Sequence, residues 1–379
     1  MKSTTRLGLV ALATASLVVG FAGAAQASPF THSPKPDSAP QGAVFVQTDN
    51  AAGNTIVAYH RASNGSLTPA GSYATGGVGG ALSGSVVDHT ASQGALARSG
   101  GNLFAVNPGS NTITSFAVKG DRLERRQVIS SGGLFPVSIA ARGDLLYVLN
   151  ARGGGSIQGY LNLGGHLTLI RSWNRQLGFN PNPSPEFTST PAQIGFAPGG
   201  SKLVVTTKGD GSSIDVFSVG LLGVAPKPVI TSLAGAVPFG FAFDRAGHLA
   251  ITEAGTNSVA TFSIANNGTA TQISSVPTGQ QATCWIVADG THLYASNAGS
   301  GTLSIIADSD RGVLTTEGTA ATDAGTVDAA VTPSGANLYV QAGASGIVDE
   351  FAVGHDGKLV KIGSVTVPGA AGGEGIVAF

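Results

Sequence analysis

Residues 329–367 read as Ala329-Ala330-Val331, a turn at Pro333-Ser334-Gly335, Leu338-Tyr339-Val340, a strand from Ile347 to Val353, a turn at His355-Asp356-Gly357 and a strand from Leu359 to Val367. Short β-branched and aromatic runs separated by glycine turns predict a small antiparallel sheet. Its second run recurs along the chain as Val44-Phe45-Val46, Leu103-Phe104-Ala105-Val106, Leu146-Tyr147-Val148-Leu149, Leu203-Val204-Val205, Leu249-Ala250-Ile251 and Leu293-Tyr294-Ala295. Successive leading residues lie 59, 43, 57, 46, 44 and 45 positions apart. A strand-and-turn unit repeating about every 45 residues is the signature of a β-propeller. The reading is all-β, with seven blades.

The chain ends predict how the ring closes. The first unit begins at a second strand, Val44 to Val46, with no innermost strand before it. Gly375-Ile376-Val377-Ala378-Phe379 reads as an innermost strand with nothing after it. Pairing of these N- and C-terminal strands completes one blade and removes an open sheet edge. Glycine and proline together, 56 and 18 of 379 residues, fall short of low-complexity levels, and 42% hydrophobic residues suffice for a core.

Residues 1–27 have the form of an export signal. Lys2 and Arg6 precede an apolar run from Leu7 to Gly23, and Ala25-Gln26-Ala27 offers small residues for cleavage before Ser28. The expected location is extracellular. Residues 28–40 contain four prolines and no periodicity and read as a flexible lead-in, so the propeller spans 41–379. Without Lys2 and Arg6, 18 basic side chains face 21 acidic ones, which gives no electrostatic case for nucleic acid or anionic membrane. Cys284 is the only cysteine, so no internal disulfide is available.

Because the blades are equivalent, each position can be compared with its counterparts in the same chain. The residue ending the second strand is Thr48, Asn107, Asn150, Thr207, Glu253, Asn297 and Ala342 in turn. Asn suits a turn, and Glu253 departs from the column. One position on, Lys208 stands where other blades carry small residues, proline or Asp49. A carboxylate and an ammonium from neighbouring blades at the channel mouth can move a proton and stabilise an oxyanion, or can form a structural ion pair. Gln193 and Asp328 occupy equivalent places in the first-strand column, where they can orient a substrate or bond one blade to the next. Cys284-Trp285 reads as a small buried residue beside an aromatic plug, with Trp285 also a candidate substrate contact.

GxSxG, HExxH, CxxC and P-loop strings are absent. His166, His248, His292 and His355 fall on the face opposite the mouth, and only His89 can approach it, so neither metal nor cofactor is expected. The long repeat steps reflect two insertions, Gly76 to Ala95 and Arg171 to Pro191, the second rich in aromatics and prolines. Both are expected on the mouth face as pocket walls.

The stretches Thr190-Pro191-Ala192-Gln193-Ile194-Gly195-Phe196-Ala197-Pro198-Gly199-Gly200, Val237-Pro238-Phe239-Gly240-Phe241-Ala242-Phe243-Asp244, Ile251-Thr252-Glu253-Ala254-Gly255 and Ala282-Thr283-Cys284-Trp285 resemble the seven-bladed propeller lactonase family. That family includes 6-phosphogluconolactonases and 3-carboxy-cis,cis-muconate cyclases. The resemblance implies a His, an Arg and a Glu near the channel. Glu253 matches in kind, and Gln193 stands where the His is sought. The implied activity is lactone opening or muconate-type cyclisation of a small lactone or carboxylate by a monomer, with Glu253 and Lys208 catalytic and Gln193, Asp328 and Trp285 binding substrate. The alternative is a non-catalytic propeller that recognises a wall carbohydrate or an exported protein.

Overall fold

The computed structural model describes residues 42–379, so the expected signal segment and lead-in lie outside the described residues. Within them the chain forms seven antiparallel sheets, the blades. Blade 1 takes its innermost strand, Ile376–Ala378, from the end of the chain and continues through Ala43–Gln47, Thr55–Arg61 and Leu67–Ala74. Val44, Phe45 and Val46 pair antiparallel with Ala378, Val377 and Ile376, the predicted closure. Blades 2, 3, 5, 6 and 7 begin at Leu96, Leu134, Pro238, Thr283 and Thr326 and each run outward through four strands. Blade 4 (Pro191–Phe196, Lys202–Thr207, Ser213–Gly220) carries two outer pieces, Gly223–Val224 and Val229–Ser232, both paired with its third strand.

Burial explains the repeat. The second strands are the most apolar elements because both faces pack against neighbouring blades: Phe45, Phe104, Tyr147, Tyr294 and Tyr339 are fully buried. Two of their tyrosine hydroxyls also tie blades together. Tyr294 Oη donates to the carbonyl of Gly357 (3.0 Å), and Tyr339 Oη to that of Gly65 (2.6 Å), which links blade 7 to blade 1.

The first strands are irregular at the mouth. In blades 3 to 7 the register slips between Pro136 and Ser138, Pro191 and Gln193, Pro238 and Phe241, Thr283 and Trp285, and Thr326 and Ala329. An extra residue at such a bulge re-aims its neighbours. Just before it, Phe135, Val237 and Ala282 hold φ of 60°, 51° and 54°, a left-handed conformation costly for residues with a Cβ, above all for β-branched Val237. The same distortion at equivalent places belongs to the blade design.

Candidate functional site

The two insertions meet over the mouth, as expected of pocket walls, but the second is shorter than expected: residues 171–176 complete the outer strand His166–Gln176 of blade 3, where Trp173 stacks on Tyr147 in the core. Glu186 accepts bonds from Arg152 Nε (2.6 Å) and Nη2 (3.0 Å) and from the Ser83 amide (2.6 Å), while Arg152 Nη2 also reaches the Ala81 carbonyl. This clamp holds Phe187 against Gly84. Beneath it opens a cavity of about 230 Å³, walled by residues 84–88, Ala91, Phe187 and Phe239, with Cys284, Trp285 and Ala298 on the far side.

The first insertion also does something the sequence did not reveal: it descends into the central channel and fills it. Gln93 offers its side-chain amide to blade 6 like a strand, donating to the Ile286 carbonyl (2.7 Å) and accepting from the Ile286 amide (3.0 Å). Its own carbonyl accepts from Ser138 Oγ, and its amide donates to the Ala192 carbonyl. Ser92 Oγ donates to the Val137 carbonyl, and Trp285 Nε1 to the Ser92 carbonyl (2.6 Å). Gly240 permits this passage, since a Cβ there would lie 2.1 Å from Gln93 Oε1.

Lys208 lies behind the cavity wall, against Ala91 and Phe239. Its side chain is buried, its Nζ donates to the Ala91 carbonyl at 2.5 Å, and it sits 5.2 Å from the Phe239 ring centroid. Burial drives its pKa down from 10.5 to about 7, opposed by the charge of Asp88. Asp88 is itself buried, with its carboxyl pushed up by desolvation and held back by bonds from the Thr90 amide and hydroxyl (both 2.8 Å) and the Ser92 amide (2.9 Å). Cys284 is raised to about 12 by burial, which leaves an unreactive thiol.

The expected Lys208–Glu253 pair is not formed. Glu253 turns along its own blade and accepts from Ser258 Oγ (2.7 Å), as Asn150 and Asn297 bond to Ser156 and Thr302 in theirs. Glu253 departs from its column in charge but serves the same structural purpose, in which a side chain at the end of the second strand grips the third. The carboxylate whose charge bears most on Lys208 is Asp88. Gln193 bonds blade 4 to blade 5 through the Phe241 amide (2.6 Å) and carbonyl (3.1 Å), away from the cavity. Asp328 accepts from the amides of Ala329 and Ile376 and lies beside Glu374, fastening the closing strand. Trp285 alone of the expected substrate contacts lines the cavity.

Glu374 is the largest omission of the sequence reading. Wholly buried, it accepts from Gly94 (2.8 Å), Ala95, Thr90 Oγ1 and Ser92 Oγ, anchoring the channel segment. Burial and neighbouring Asp328, Asp88 and Asp49 push its carboxyl well up. Its signal was a lone acid among small residues, Ala371-Gly372-Gly373-Glu374-Gly375, directly before the closing strand. Among the described residues no group of three or more His, Cys, Asp or Glu is arranged to hold a metal ion.

The architecture is shared with several solved structures. A candidate 6-phosphogluconolactonase from Bacteroides fragilis is 19% identical, with 91% of this chain and 99% of that one aligned at a TM-score of 0.70. A periplasmic gluconolactonase from Pseudomonas aeruginosa is 18% identical over 89% and 98% of the two chains at 0.71. A virginiamycin B lyase from Staphylococcus aureus is more distant, 14% identical over 75% and 87% at 0.52. No family model matches the chain, and no curated protein matches it. At these identities the likeness is one of fold: the chain is a seven-bladed propeller of the kind found in lactonase-type proteins.

Proposed function

We propose that this protein is an exported enzyme that opens a lactone, or runs the reverse muconate-type cyclisation, on a small-molecule substrate held in the mouth cavity. The observation that carries the reading is Lys208, a buried amine behind the wall of that cavity whose charge is opposed by burial and favoured by Asp88. A cation in a water-poor site stabilises the oxygen of a carbonyl under attack far better than one in solvent, and Lys208 would act by its field from behind Ala91 and Phe239 rather than by contact. Asp88 lines the cavity and keeps acceptor capacity on Oδ2, which takes one bond while Oδ1 takes two. In this scheme water adds to the carbonyl carbon, the acyl–oxygen bond of the ring breaks, and Asp88 passes the proton of that water to the departing alkoxide. Glu253, engaged with Ser258, supports the mouth from outside the reaction.

One observation favours a non-catalytic binding propeller: Trp285 and Gln93 seal the channel below the cavity. Turnover of a panel of lactones and muconates separates the two readings. Lys208→Met is expected to lower turnover by about a hundredfold or more, while Glu253→Gln leaves it near the parent value. Undiminished turnover by Lys208→Met would remove the catalytic reading.

A further inference from the structure

The walls of the mouth cavity define what can occupy it. Val86, Val87, Ala91, Phe187, Phe239 and Trp285 form an apolar lining, and the polar side chains of Ser85, Asp88 and Trp285 are engaged within the protein. Ser85 Oγ donates to the Asp88 carbonyl, the Asp88 carboxylate takes three bonds from its own loop, and Trp285 Nε1 is held by Ser92. At the rim, the Arg152 guanidinium is committed to Glu186 and Ala81 while lying over the Phe135 ring. Lys208 stands behind Ala91 and Phe239, with one bond to the Ala91 carbonyl and a side chain that is only 1% exposed.

A sugar lactone carries a hydroxyl on nearly every carbon, and a phosphorylated one adds two negative charges. A single acceptor, Asp88 Oδ2, keeps capacity among the side chains of this wall, so most of these groups would leave water without a side-chain partner, at a cost of about 1 to 3 kcal/mol apiece by protein measurements. An alkyl or aryl group entering the same space gains about 0.8 kcal/mol per methylene. The volume agrees, because an apolar cavity of roughly 150 Å³ already admits benzene and this one is about 230 Å³.

We infer that the ligand of this cavity is a neutral ring lactone or ester bearing an apolar substituent, with the substituent against Val87, Phe187 and Trp285, and that hydroxylated and phosphorylated sugar lactones are excluded, as are muconates with their carboxylates, which leaves lactone opening as the reaction. The inference rests on the assignment of the mouth cavity as the ligand site, and it differs from the gluconolactone named for the Pseudomonas structure.

The test is equilibrium binding to the full chain, by calorimetry, of γ-butyrolactone, γ-valerolactone, γ-hexalactone and γ-heptalactone, with δ-gluconolactone alongside. Affinity is expected to rise roughly fourfold for each added carbon, and δ-gluconolactone is expected to bind no better than γ-butyrolactone. Ala298→Leu, which fills the cavity, and Val87→Asp, which brings an unpaired charge to its wall, should each abolish the dependence on chain length. The inference is overturned if δ-gluconolactone binds as well as γ-heptalactone, if affinity is flat across the series, if no member binds, or if both variants keep the dependence. Ring opening, followed separately in the same samples, decides the reaction: a graded series that binds without hydrolysis sustains the apolar ligand and removes the lactonase reading, whereas hydrolysis without dependence on chain length does the reverse.

Discussion

Lys208 concentrates the conflict between burial and charge at one residue. In the unfolded chain its amine is protonated up to about pH 10.5, whereas in the fold it gives up its proton near pH 7. Between those values the unfolded state holds more protons, so the contribution of Lys208 to stability rises with pH and is least favourable below pH 7. Lys208→Met is therefore expected to stabilise the protein at pH 6, with an advantage that shrinks by on the order of 3 kcal/mol by pH 9.5. Denaturant titrations of both proteins at the two pH values check this. The difference between them is the quantity to follow, because Asp328 and Glu374, whose carboxyls are raised, act with the opposite sign. A constant difference would mean that Lys208 is not desolvated. The same titration gives the proposed activity a pH dependence: the ammonium is lost above about pH 7, and turnover should decline there.

At the scale of elements, the repeat made the strands readable and concealed the loops. Leu-Tyr-Val runs and glycine turns are local signals, so the blades, their order and the closing strand Ile376–Ala378 could all be read from the sequence. The column comparison found Lys208 and Glu253 as exceptions but could not show which way they point. Glu253 follows its blade down to Ser258, and Lys208 turns inward to a carbonyl 117 residues away in the chain. Gln93 and Glu374 carried no periodic signal at all, because neither stands at a repeat position: Gln93 comes from an insertion and reaches Ile286 in blade 6, and Glu374 sits in the turn before the closing strand and holds Gly94 of that insertion. The channel segment gives a sharp comparison. Gln93→Ala leaves the buried amide and carbonyl of Ile286 without partners and should cost about 2 to 4 kcal/mol. Gln193→Ala breaks the corresponding pair of bonds to Phe241 at a more open place and should cost less. Equal, small losses in chemical denaturation would show that the insertion rests in the channel without bracing it.

For the whole molecule, stability depends on a ring whose last strand fastens its first. Ile376–Ala378 pairs with Ala43–Gln47, Asp328 receives the Ile376 amide, and Phe379 packs edge-on to Phe45 with the Arg98 guanidinium over its ring. Deleting residues 376–379 uncovers the inner edge of Ala43–Gln47 together with this packing. A loss of several kcal/mol is expected, which lowers the melting temperature by at least about 5 °C, and an unchanged melting temperature would show that the remaining blades hold the ring without their clasp.

The segment from Ser92 to Ala95 belongs to no strand, yet the blade-facing bonds it makes end on buried partners in blades 2, 3, 4 and 6 and in the turn before the closing strand. It works as an axle that the wheel surrounds. Its amide protons should consequently exchange with deuterium among the slowest in the molecule, on the timescale of global unfolding rather than of loop motion. The stretch of backbone with no regular structure would then report the opening of the entire ring.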